Sequence, residues 1–146
     1  MPVNLFGDEW DETLTRPGYE RTDFWAAHRL GTKLLGGSVY ELPPGQATFP
    51  YHWHAGNEEL LIVLAGRPTL RDPDGERELA PGDTVLFRRG PEGAHKIVNR
   101  SDEPARILLA SSMRSPDYVE YPDSGKVGAG GQRYLKSTAV DYWEGE

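Results

Sequence analysis

The sequence predicts an all-β domain, an antiparallel sandwich or barrel, on three observations. Short apolar stretches recur from Ser38 to Ser111, each bounded by turn residues. Seventeen glycines and twelve prolines in 146 residues favour many short strands over long helices. That length fits one domain able to bury a core without disulfides.

The elements follow in order. Residues 1–37 form an N-terminal arm with Trp10, Tyr19, Phe24 and Trp25 but little clean periodicity. Within it, Ala26 to Leu35 is compatible with a short helix or a strand. Ser38 to Leu42 reads as a strand ended by Pro43-Pro44-Gly45. Thr48 to His54 alternates Phe49, Tyr51 and Trp53 with Thr48, Pro50, His52 and His54, a strand pattern. Ala55-Gly56-Asn57 turns the chain into Glu59 to Leu64, a strongly apolar strand closed by Ala65-Gly66. Pro68 to Arg71 and Glu76 to Ala80 flank Asp72-Pro73-Asp74-Gly75, a hairpin turn. After Pro81-Gly82-Asp83 come strands at Thr84 to Arg88, His95 to Val98 and Ala105 to Ser111. The extension from residue 113 to 146 holds Tyr118, Tyr121, Tyr134, Tyr142 and Trp143, an aromatic content expected to pack on the barrel. The glycines from Gly128 to Gly131 lack the strand-before, helix-after context of a phosphate-binding loop. One domain is therefore expected, with its barrel core at about 38–112.

Composition excludes several functions. With 16 basic and 23 acidic residues the net charge is −7, which argues against nucleic acid or an anionic membrane as a partner. Without cysteine there is no disulfide, thiolate nucleophile or cysteine-bound zinc. The longest apolar run, Leu60 to Ala65, is too short to span a bilayer. The first residues show no secretory signal, so the expected location is the cytoplasm.

The chemistry left open needs His, Asp and Glu. His52 and His54, two apart on a strand, place both imidazoles on one face. Glu59 opens the next strand and can return beside them. His95 follows the Gly90-Pro91-Glu92-Gly93-Ala94 loop. Three imidazoles and a carboxylate suit Fe, Mn, Ni, Cu or Zn, and four protein ligands on an octahedral metal leave two positions open. Each residue alone has a plainer reading, a solvated or hydrogen-bonded side chain. His28, with no partner nearby in sequence, keeps that reading.

The spacing points further. Gly45, His52-Trp53-His54, Glu59 and Gly66 closely resemble the first motif of the cupin superfamily. Gly82-Asp83-Thr84-Val85-Leu86-Phe87 with Gly90, His95 and Asn99 resembles the second, so the resemblance covers about half the chain. It implies a small double-stranded β-helix (jelly-roll) barrel with His52, His54, Glu59 and His95 as ligands of one divalent transition metal: Fe, Mn, Ni or Zn. The chain departs from the pattern in three places. Six residues separate Gly45 from His52 where five are usual, Arg88 stands at a proline position, and four residues rather than two lie between Gly90 and His95. The register of that last loop decides whether His95 faces inward. Tyr121-Pro122-Asp123-Ser124-Gly125-Lys126-Val127 resembles a segment of small bacterial cupins, some described as sugar-phosphate isomerases.

Residues on the ligands' face become the expected pocket lining: Thr48, Pro50, Leu61, Val63, Ile97 and Asn99. Asn99 has an equal reading as a turn residue. Arg88 is expected either at the rim, where it would attract a carboxylate or phosphate, or simply exposed beside Arg89. The opposite rows, Phe49, Tyr51 and Trp53 with Leu60, Ile62 and Leu64, are apolar too, and a strand apolar on both faces is covered on both. The arm, the tail or a second subunit must supply the cover, and a homodimer through this face is expected. The functional expectation is a metal-dependent enzyme, an isomerase or dioxygenase, acting on a small polar molecule such as a sugar phosphate or a keto or enediol compound. The alternative is a non-catalytic small-molecule binding or sensing domain.

Overall fold

A computed structural model describes residues 1–146. Its three antiparallel sheets make a jelly roll. The largest has six strands: β1 (Glu12–Leu14), β2 (Arg21–Phe24), β3 (Gly36–Leu42), β5 (Glu59–Ala65), β8 (Thr84–Phe87) and β10 (Ala105–Ser111), in the order β1-β2-β3-β10-β5-β8. Opposite lie β6 (Thr69–Asp72), β7 (Gly75–Glu78) and β9 (Lys96–Val98), ordered β7-β6-β9. The third sheet joins β4 (Trp53–His54) to the tail strands β11 (Tyr118–Tyr121), β12 (Lys126–Ala129) and β13 (Gln132–Leu135). The segment from Ala26 to Leu35, open in sequence to either reading, holds a one-turn helix, α1 (Ala26–Arg29). No helix is long and apolar enough to cross a membrane.

Period-two alternation sets the core. On β5, Leu61 and Val63 point inward and are fully buried, while Leu60 points outward and is 38% exposed. They join Leu42, Leu70, Leu79, Phe87, Ile97, Ile107 and Leu109 in one apolar cluster. Burial of a Leu or Ile side chain contributes about 1.5–3 kcal/mol, so these positions dominate the cohesion of the sheets. Gly66 closes β5 in a left-handed turn at φ +75°, where a Cβ would come within 2.5 Å of the Pro104 carbonyl oxygen. Both the conformation and the space require glycine there.

Two expectations about the first histidine segment are corrected. Thr48 to His54 is not a continuous strand. Pro50 has no amide hydrogen to donate, and the backbone pairs only at Ala47 with Val98, at His52 with His95, and along β4. Phe49 consequently does not join Tyr51 and Trp53 on the outer row. It turns inward against the core and meets Tyr40 edge-on at 5.5 Å.

The arm and the tail supply much of the cover required by the apolar outer face. Val3, Leu5 and Trp10 pack with Leu64 and Leu108 over Phe24, Ala26 and Val39. Arg106 fastens the arm by stacking on Trp10 at 4.8 Å, pairing with Glu41 at 2.7 Å and donating to the Gly7 carbonyl. Trp53 meets Tyr118 of the tail at 5.8 Å, and Arg71 lies over Tyr51 while pairing with Asp123. Leu60 and Leu86, opposite each other in register, stay open at 38% and 48% exposure. Beyond β12 the tail does not pack as its aromatic content suggested: Tyr134, Tyr142 and Trp143 are 49%, 84% and 71% exposed. Gly130 and Gly131 form the turn between β12 and β13.

Candidate metal centre

Four side chains converge at one end of the barrel. Backbone pairing of His52 with His95, amide to carbonyl in both directions at 3.2 and 2.9 Å, sets their rings 4.6 Å apart. His54, two residues on, shares the face of His52. Glu59 opens β5 directly opposite Phe87 on β8, and the Phe87 ring stacks on His95 at 3.6 Å, nearly parallel. The longer loop before His95 folds as a single 3-10 turn, Pro91–Gly93. A Cβ on Gly93 would collide with the Arg88 backbone, so only glycine lets this loop lie so close. That packing turns His95 inward, with 1% of its surface exposed.

The hydrogen bonds settle which ring nitrogens carry protons. His52 Nδ1 lies 2.8 Å from the Pro50 carbonyl and His95 Nδ1 2.8 Å from the Gly93 carbonyl. A carbonyl only accepts, so each Nδ1 is the donor. His54 Nδ1 lies 2.6 Å from Asp117 Oδ2. Burial pushes the Asp117 carboxyl up, but hydrogen bonds from His54, Asn57 and the Gly56 amide outweigh it and hold the group ionised below its usual range. His54 therefore donates as well. A neutral imidazole with its proton on Nδ1 has a bare lone pair on Nε2.

Those Nε2 atoms all face the Glu59 carboxylate, at 3.8 Å for His52, 3.5 Å for His54 and 3.2 Å for His95 from Oε2. Burial raises the Glu59 carboxyl, and only a proton on a facing imidazole, that of His95 first, brings it below its ordinary value. Burial, reinforced by His95, lowers His52 to about 4, so its ring is neutral at physiological pH. Glu59 Oε2 and His95 Nε2 are buried without a hydrogen-bond partner. An unpaired buried polar atom costs about 1–3 kcal/mol and more when charged. Lone pairs facing a carboxylate with no proton between them are what a divalent cation relieves, so the residues present fit a metal. His52, His54 and Glu59 can each bring a ligand atom within 4.8 Å of the other two, a possible metal site. His95 borders this set through Glu59.

Above the cluster opens a cavity of about 940 Å³, walled by β3, the His52 segment, the end of β10 and the tail. It corrects much of the expected lining. Pro50 does line it. Leu61, Val63 and Ile97 lie deeper, in the apolar core, and Thr48 is buried outside the cavity wall. Asn99 has the turn role: its Nδ2 donates to the Leu42 and Glu103 carbonyls and its Oδ1 accepts from Ser101. Arg88 is exposed and away from the cavity. The wall instead carries Tyr40, Asn57, Arg114, Asp117, Tyr121 and Arg133, together with His28. No spacing rule connects these to the histidines. The local signal for Asp117 was slight, a carboxylate in a polar stretch just before an aromatic strand.

Over residues 38–111 the chain matches the cupin domain family, and it belongs to that family. Among solved structures it resembles a sugar phosphate isomerase of the cupin superfamily from Silicibacter pomeroyi, at 25% identity over 95% of both chains with a TM-score of 0.81. A candidate sugar phosphate isomerase from Acidithiobacillus ferrooxidans is 26% identical over 90% of this chain and 86% of its own, with a TM-score of 0.78. The polyketide cyclase RemF from Streptomyces resistomycificus shares the fold at 24% identity, 80% and 82% coverage and a TM-score of 0.63. No curated protein matches the chain significantly.

The depressed His52 value has a consequence for the metal-free protein. An unfolded histidine takes up a proton near 6.5, whereas folded His52 does so only at about 4. Between those values the unfolded chain binds more protons, so stability falls as pH falls, by up to about 3 kcal/mol. Urea unfolding of chelator-treated protein is expected to show most stability at pH 7.5 and a progressive loss toward pH 5. The loss should shrink in His52→Gln. A curve flat over that range, or unaltered in the variant, contradicts the assignment.

Proposed function

We propose that the protein is a metal-dependent enzyme acting on a small polar substrate that presents two adjacent oxygens, of the sugar-phosphate or keto and enediol class. The observation that carries this is the convergence of three bare Nε2 atoms on one carboxylate at the floor of an open cavity large enough for such a molecule. The likeness to the two isomerase structures, which extends to nearly the whole chain, supports the substrate class.

His52, His54 and Glu59, with His95, would hold one divalent transition metal, which when bound supplies a Lewis acid toward a carbonyl or enediol oxygen. The remaining work falls to the chain. Burial pushes the Tyr40 phenol up, so it stays protonated at neutral pH and can donate a hydrogen bond to a substrate oxygen from the cavity wall. His28, on the same wall and outside the cluster, offers a ring nitrogen for moving a proton between adjacent carbons. Asp117 holds the His54 ring in one orientation, the part that such partners play beside metal-binding imidazoles.

The test is to load the protein separately with Fe, Mn, Ni and Zn and incubate it with aldose and ketose phosphates, keto acids and diols, with and without dioxygen. Interconversion of an aldose and a ketose phosphate, independent of dioxygen, is expected. Specific binding without turnover under any metal would return the protein to a binding or sensing role.

We propose also that it is a homodimer, with a second copy covering the strip around Leu60 and Leu86 that arm and tail leave open. A stable obligate interface buries more than ~2,000 Å² in total. Light scattering at micromolar concentration should give twice the chain mass, and Leu60→Asp should give the monomer or an insoluble chain. A monomeric mass for the native protein would refute the dimer.

A further inference from the structure

Ion pairing is uneven across this acidic chain. Seven of its twelve arginines, Arg21, Arg29, Arg67, Arg71, Arg77, Arg100 and Arg106, are paired with carboxylates. Five have no carboxylate partner. Two of the unpaired ones, Arg114 and Arg133, line the cavity over the histidine cluster. The carboxylates of that wall are already committed, Glu59 to the three imidazoles and Asp117 to His54. The cavity therefore carries two guanidinium groups with no carboxylate paired to them, in a protein of net charge −7.

Both arginines are exposed, and the structure fixes the backbone of one and the side chain of the other. The backbone of Arg114 is clamped by buried Asn57, whose Oδ1 accepts from the Arg114 amide while its Nδ2 donates to the Arg114 carbonyl at 3.1 Å. Arg133 reaches the Tyr121 hydroxyl through Nε at 3.3 Å, and its Cζ lies 5.9 Å from the centre of that ring. The Tyr121 ring in turn stacks on His52 at 5.9 Å. A single aromatic ring thus separates the guanidinium from the histidine cluster. Nη2 of Arg133 and the whole guanidinium of Arg114 remain without a protein acceptor.

We infer that Arg114 and Arg133 form an anion subsite for the phosphate group of the substrate. This rests on the proposed function and specifies how the substrate class is read. The planar guanidinium fork matches phosphate oxygens, and two such groups balance the charge of a phosphomonoester dianion, where a carboxylate ligand would balance only one of them. The cluster engages the oxygens at one end of the molecule and the arginines fix the other. Selection is then for chain length and terminal charge together.

Calorimetric titration tests the subsite apart from any catalysis. The probes are inorganic phosphate, ribose 5-phosphate and ribose, used at pH 8 on chelator-treated and on metal-loaded protein. Inorganic phosphate should bind the chelator-treated protein, and ribose 5-phosphate should bind at least about tenfold tighter than ribose. Arg133→Gln and Arg114→Gln should each reduce phosphate affinity by about tenfold, with metal content and urea midpoint unchanged. Arg88→Gln, away from the cavity, should leave binding as it is. Equal binding of ribose and ribose 5-phosphate, absence of phosphate binding, or full phosphate affinity in the Arg114→Gln/Arg133→Gln double variant would overturn the subsite. Loss of turnover with the phosphate preference intact would count against the enzymatic reading instead.

Discussion

Three imidazole protons, each engaged on Nδ1 by an acceptor of fixed position, constrain everything around the cavity. Two acceptors are backbone carbonyls, Pro50 and Gly93, and the third is the Asp117 carboxylate. With those bonds made, the Nε2 lone pairs have one direction left, toward Glu59. The arrangement is costly without a cation, since it leaves buried acceptors facing each other. The barrel must therefore be rigid enough to hold it. The apolar cluster between the sheets and the Phe87 ring against His95 supply that rigidity from below.

The tail is part of the site rather than a decoration on the barrel. Its first strand pairs with the strand carrying His54, Val119 opposite His54 and Glu120 opposite Trp53. That register delivers Asp117 to the His54 ring and to the Gly56 amide. It also lays Tyr121 against His52, with Arg133 behind it. Cohesion and recognition share the same residues: the pairing that closes the open end of the barrel builds the wall that a substrate would meet.

How much of this was legible in the sequence follows from what period-two alternation can and cannot say. It told which side a residue faces. His52 and His54 share a face, Leu61 and Val63 point inward, and Leu60 points outward, as read. It could not tell depth. Leu61, Val63 and Ile97 share the inward side yet sit below the cavity, in the apolar core, because polar and apolar layers succeed one another along each strand. It failed at Phe49, where Pro50 interrupts pairing and the alternation with it. The inward turn of His95 depended on a loop whose closeness to the Arg88 backbone rests on the small size of Gly93. Asp117 and Arg133 were invisible, and Tyr121 was read as a packing aromatic of the tail rather than as a wall of the site, because long-range pairing of the tail, which no local pattern encodes, brings them there.

The central claim is that this cluster exists to hold a metal, and elemental analysis of protein purified without chelators tests it most directly. The account predicts about one divalent transition metal per chain, with occupancy collapsing in the His52→Ala/His54→Ala double variant while the protein stays folded. Full occupancy in that double variant would contradict it.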